Sequence, residues 1–188
     1  VCTRAWPVPR ELGIPATVFV CTAYLDSAEP FPFDTWGLAY RDRVPPETYR
    51  PLTTGECREM MRAGQVELGA HTHTHKDFRS RPDEFRRDLQ TSVDALHERF
   101  GLKDVSFAFP FGRRHSGFSG GALMVATFQT GVRSGLTTEA HLNDPRSSPF
   151  GWGRFNAYEW DTAATLAARL EGWYGWAPRL QGWLARWR

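Results

Sequence analysis

The chain has 188 residues, 41% of them hydrophobic and 23% charged, a size and composition that fit one globular domain with a sizeable core and exclude a disordered chain. Lys and Arg number 23 against 21 Asp and Glu, so the formal net charge of +2 offers no strong field for gathering polyanions, and nucleic acid is not an expected partner. No apolar run approaches the roughly 18 residues needed to cross a bilayer. The start, VCTRAWPVPR, lacks the basic, apolar, then small-residue order of a secretory signal. The chain begins at Val1 rather than a methionine, as a fragment or processed form would. The location stays open between extracellular, periplasmic and cytoplasmic. Cys2, Cys21 and Cys57 are too few for a disulfide scaffold and too far apart for a Cys-x-x-Cys knuckle; they read as three thiols, or as one disulfide and one thiol.

In chain order, RAWPVPREL (4–12) is helical only if Pro7 and Pro9 fall near the start of the helix, and is otherwise irregular. GIPATVFVC (13–21) reads as a buried strand from its β-branched and aromatic run. DSAEPFPFDTWGLAYRDRVPPETYRP (26–51) is crowded with prolines and aromatics and keeps no period. It reads as a long excursion, a feature that usually covers a site or binds something. Thr53 and Glu56 have capping-box spacing for a helix stopping at Gly64, and VELGA (66–70) reads as a short strand. Phe85, Leu89, Val93, Leu96 and Phe100 recur every three or four residues between Pro82 and Gly101, predicting an amphipathic helix. VSFAFPFG (105–112) is a third strand candidate, GGALMVATFQTG (120–131) another helix, and VRSGLTT (132–138) another strand. Asp161 is the expected cap of a helix over TAATLAARLEGW. The Trp-rich remainder of the 161–188 tail, with Trp173, Trp176, Trp183 and Trp187, reads as a terminal helix packed on the domain or as an aromatic surface for sugar or protein. The alternation of strands and helices predicts a single α/β domain over 1–188.

The densest chemistry lies in GAHTHTHKDF (69–78). Neutral imidazole is a good ligand for zinc and related ions. If the backbone stayed extended, His71, His73 and His75 would share one face; if it turned, His71 and His75 would converge on one ion. A polar loop without metal is the third reading. A serine hydrolase is not indicated, because no Gly-x-Ser-x-Gly stretch occurs, and FPFG and GFSGG match neither phosphate-binding glycine pattern. In TTEAHLNDP, His141 and Asp144 could coordinate metal and Glu139 could serve as a base, but a structural role in a Pro-rich turn explains these solitary polar residues better.

Three stretches in order, LGIPATVFV, ELGAHTHTHKDF and FAFPFG, resemble the polysaccharide deacetylase (NodB-like, carbohydrate esterase 4) family, and GLTTEAHLNDPRSSPFGWGRF is similar to its distal region. The resemblance spans about residues 6–156. It implies a distorted (β/α) barrel holding a divalent metal, commonly zinc, through an aspartate and a His-Ser/Thr-x-x-His pair. Carried onto this chain, the pair is His71 and His75, with Thr72 as the hydroxyl residue and His73 at a variable position. Pro110, Phe111 and Gly112 would wall the site, and Phe31, Phe33, Trp36 and Tyr40 would stack on sugar. The implied activity is hydrolysis of a carbon–nitrogen bond other than a peptide bond, removing acetyl from N-acetylated, or in some members O-acetylated, poly- or oligosaccharide.

This chain departs from the family pattern at its start. The family's Thr-Phe-Asp-Asp-Gly motif, which supplies the base and the third protein ligand, would fall before Val1, and the first acidic residue, Glu11, belongs to a later connection. The expected fold is therefore an incomplete barrel missing its first strand, whose exposed edge invites pairing into a homo-oligomer. No late Leu-x-His segment supplies the family's general acid; His115 and His141 are the candidates in its place. The readings are a truncated deacetylase, a noncatalytic carbohydrate-binding or structural homologue, or a chain completed by another, with the metal absent if the site is incomplete. Hydrolysis of a small noncarbohydrate amide is a further alternative.

Overall fold

The computed structural model describes residues 1–173. Its first helix, α1 (Pro7–Leu12), places Pro7 where a missing N–H costs nothing, and it ends at Gly13 with φ 68°. β1 (Ala16–Val20) follows. The excursion after it contains a helix that its sequence did not announce, α2 (Thr35–Tyr40), capped by the Asp34 carboxylate, which accepts from Gly37 N at 2.9 Å. Six residues are too few to display a helical period.

The capping box forms as expected. α3 (Thr54–Arg62) starts with Thr53 Oγ1 accepting from Glu56 N and Glu56 Oε2 accepting from Thr53 N. Arg50 adds a bidentate pair to Glu56 at 2.7 and 2.8 Å, which pulls the carboxyl down to about 2. Next come β2 (Val66–Ala70), α4 (Pro82–Phe100), β3 (Ser106–Ala108), α5 (Gly121–Gln129), β4 (Ser134–Leu136) and α6 (Ala163–Leu170).

The cap of α6 corrects the sequence expectation. Thr162, not Asp161, is the N-cap, and it exchanges hydrogen bonds with Thr165. Asp161 is instead held by Arg169 at 2.6 and 2.8 Å. Trp173 is exposed; Trp176, Trp183 and Trp187, with the rest of the tail, lie outside the described residues.

The four strands form one parallel sheet in the order β1-β2-β3-β4. The expected α/β architecture is thus present as a sheet that, among the described residues, does not close into a barrel. One face is dry. Val20, Leu68, Ala70, Phe107 and Phe109 pack with Cys57 and Met60 of α3 and with Phe85, Leu89, Val93 and Leu96 of α4. The other face is wetter, with Glu67 accepting from Ser106 Oγ and Arg133. There the Phe19 ring lies across Gly69, where a Cβ would come 2.6 Å from that ring and 2.9 Å from Ser106 O. Glycine lets the ring fill the hollow.

The sheet's two edges differ. Beside β4, Leu136 bridges Trp152, Thr137 N donates to Trp152 O at 2.7 Å, and the Asn143 amide bonds both Gly153 N and Gly153 O. In β1, Ala16 N and Val20 O bond toward β2, so the alternation of a parallel ladder turns the peptide groups of Thr17 and Phe19 away from it. No strand among the described residues meets them. All three cysteines are free thiols.

Candidate metal and substrate site

The histidine loop leaves the C-terminal end of β2, the end of a parallel sheet where loops gather chemistry in barrel folds. His71 N still donates to Val20 O, and the chain then turns. Thr72 and His75 adopt left-handed φ of 63° and 57°, and the buried Thr72 Oγ1 accepts from His75 N at 3.0 Å. The backbone is therefore not extended. His71 and His75 converge, with ring centroids 4.9 Å apart. His73 turns away, and its Nδ1 lies 2.9 Å from Thr22 Oγ1, where it acts as a strut. The loop backbone is fixed further by Ala23 N donating to His73 O, Tyr24 Oη donating to Thr74 O, and the Asp88 carboxylate accepting from His73 N and Thr74 N.

Both imidazoles are poised as neutral donors. His71 Nδ1 sits 2.7 Å from Ala108 O and so must carry the proton, which leaves the Nε2 lone pair available. Burial pushes His71 down to about 4, helped by His75 and Arg154 and opposed by the Ala108 bond. Burial also lowers His75, whose Nδ1 is buried without a hydrogen-bond partner. Two neutral imidazoles, one oriented by a backbone carbonyl and one with an unsatisfied ring nitrogen, match the donor chemistry of a zinc-type ion. Among the described residues, no group of three His, Cys, Asp or Glu side chains stands ready to hold a metal.

The walls are aromatic. Phe33 stacks on His75 at 4.2 Å and 23°, Phe111 meets the same ring edgewise at 5.0 Å, and Phe31 stacks on Phe33 at 5.1 Å. Phe111 and Gly112 take φ of 62° and 67°, and buried Pro110 roots the loop. A cleft of about 360 Å³ lies against this group, lined by His71, His75, Phe31 and Phe33 and by the consecutive residues Val18 to Cys21. Successive strand residues point to opposite faces, so a groove touching all of them runs along the strand's edge. The cleft is thus the space beside the unpaired side of β1. Trp36 and Tyr40 pair at 5.2 Å on α2, exposed and outside the cleft lining.

Other candidates lie elsewhere. His115 is exposed and does not line the cleft, and His141 borders a separate hollow with Arg114 and Phe150. Asp144 is held by exposed Arg146, and Glu139 Oε1 accepts from Arg114 N. Arg154 was not singled out by the sequence. Its guanidinium lies 5.7 Å from the Phe19 ring centroid, its Nε donates to Thr137 O, and it is near enough to His71 to depress it. Desolvation lowers Arg154, and it makes no ion pair among the described residues.

Residues 1–122 match the family described as polysaccharide deacetylase. No curated protein sequence matches the chain. Among experimental structures, IcaB from Ammonifex degensii is similar with a TM-score of 0.68 at 22% identity, covering 89% of this chain and 66% of that one. The Streptococcus pyogenes deacetylase PplD in complex with acetate gives a TM-score of 0.67 at 17% identity, covering 88% and 63%. A de-N-acetylase from Aggregatibacter actinomycetemcomitans gives 0.69 at 17%, covering 89% and 69%. At such identities the likeness is one of fold. The chain spans less than two thirds of the length of IcaB and of PplD.

Proposed function

From the premise that this chain belongs to the polysaccharide deacetylase family, we propose that its cleft is the substrate side of a metal-dependent deacetylase acting on acetylated poly- or oligosaccharide, with His71 and His75 as two ligands of a divalent ion such as zinc. The observation that carries this reading is the convergence of two neutral imidazoles, 4.9 Å between centroids, at the C-terminal mouth of a parallel sheet. The ion, when bound, would polarise an acetyl carbonyl and lower the pKa of water.

The chain's own residues do the rest. Ala108 O fixes the His71 tautomer, Phe33 and Phe111 hold the plane of His75 and exclude water from it, and Pro110 and Gly112 keep Phe111 in place. Phe31 and Phe33 offer flat apolar faces to a sugar ring in the cleft, and Trp36 with Tyr40 extends that surface outward. A carboxylate ligand and base, which the family assigns to an aspartate pair, has a place to arrive: the unpaired edge of β1 ends beside His71, where Arg154 would meet the new negative charge. The same edge would serve a second copy of the chain as a pairing surface.

The lack of a third ligand among the described residues favours a second reading, a carbohydrate-binding homologue without turnover. Zinc stoichiometry and acetate release from acetylated sugar oligomers separate the two. Zinc bound by the chain and lost in the His71→Ala/His75→Ala variant, with acetate release, supports the enzyme. Oligomer binding without acetate release supports the binding module. Unchanged zinc stoichiometry in the double variant would sink the ligand assignment.

A further inference from the structure

Resting on the metal reading above, we propose that Asp88 of α4 is a positioning residue that sets the spacing of His71 and His75 by clamping the loop between them. Within five residues, Thr72 and His75 both hold left-handed backbone conformations, which side chains with a Cβ seldom adopt and which persist only when their surroundings over-determine them. Thr72 Oγ1 supplies one restraint, by accepting from His75 N. The central residues are restrained from outside the loop. A single oxygen, Asp88 Oδ1, accepts from His73 N at 2.7 Å and Thr74 N at 3.1 Å, and Oδ2 accepts from Thr74 Oγ1 at 2.7 Å. Three donors on two adjacent residues thus converge on one carboxylate, and hydrogen bonds to an ionised acceptor are the strong ones.

The clamp has a firm base. Asp88 lies one residue before fully buried Leu89 and three after buried Phe85, on a helix of 19 residues whose inner face is set into the core. The position of the loop is thereby referred to α4 rather than to its own weak preferences. Asp88 touches neither imidazole, so its action on a metal would pass through the backbone.

Asp88→Ala, Asp88→Asn and Thr74→Val in the full 188-residue chain test this, with Co2+ as the probe. Alanine is the best helix former, so α4 is not weakened at that position. Two readouts are taken: Co2+ affinity with its visible absorption spectrum, and amide hydrogen exchange at His73 and Thr74 without metal. Asp88→Ala is expected to speed both amides by about tenfold or more, weaken Co2+ binding by roughly 10- to 100-fold and alter the spectrum. Asn keeps one oxygen for the two N–H groups and is expected to recover affinity to within a few-fold of the parent. Thr74→Val, which spares α4 and both backbone bonds, is expected to lose a few-fold. Amides of folded Asp88→Ala exchanging at the parent rate, an unchanged spectrum and affinity, or no recovery in Asp88→Asn would each overturn the proposal. Should the parent bind no Co2+, the metal reading fails, while the exchange rates still decide the clamp.

Discussion

The two edges of the sheet are built on opposite plans. Beside β4 the chain folds back on itself: Trp152 bridges Leu136 and accepts from Thr137 N, and the Asn143 side chain pins the neighbouring Gly153 backbone. Beside β1, no strand among the described residues meets the peptide groups of Thr17 and Phe19, and a groove runs there to the histidine pair. A protected edge contributes to stability alone. An open edge next to converging imidazoles leaves strand N–H and C=O groups free to pair with another strand. Arg154 links the two: its backbone belongs to the segment beside β4, while its guanidinium lies over Phe19 of β1.

The largest expected effect lies where the open edge meets the site. His71 is held neutral with its pKa at about 4, against an ordinary 6.5. A depressed folded value means that its contribution is present in full above pH 6.5 and is lost as pH falls toward and through about 4, because the unfolded chain takes up the proton first. The shift corresponds to roughly 3 kcal/mol. Urea unfolding from pH 7 to 4 should therefore show a steeper loss in the parent than in His71→Gln, and parallel curves would remove His71 as the cause.

At the protected edge, Asn143→Ala deletes both side-chain bonds to Gly153 and is expected to cost about 1–2 kcal/mol in denaturant unfolding. An unchanged midpoint would show that the Trp152 bridge closes this edge without help. The smallest effect on stability is expected at the open edge. Thr17 is exposed, and Thr17→Lys should shift stability by no more than about 0.5 kcal/mol. The same change should reduce concentration-dependent association in sedimentation if the edge pairs copies of the chain, and no reduction would assign association to another surface.

Local signals were the legible ones. The Thr53–Glu56 capping box and the Phe85 to Phe100 stripe lie within one helix and act over a few residues, and both appear where the sequence places them. The family motif picked out His71 and His75, which the turn at Thr72 brings together. What the sequence hid depends on distant partners. His73 stands at a variable position of the motif, but the partner that gives it a role is Thr22, 51 positions away. Arg154 gains meaning only once the segment beside β4 brings its guanidinium over Phe19, far away in sequence. The error at Asp161 is of the same kind. Two adjacent residues were each able to cap a helix, and Arg169, eight positions on, decided the matter by occupying one of them.

The free thiols give the molecule an internal clock. Burial raises Cys21 and Cys57 to about 12, so neither presents an appreciable thiolate near neutral pH while the fold is closed. Cys21 follows β1, and Cys57 is sealed between α3 and the core. An alkylating reagent would therefore time two different events on the same molecule, fraying at the open edge through Cys21 and loss of the whole core through Cys57.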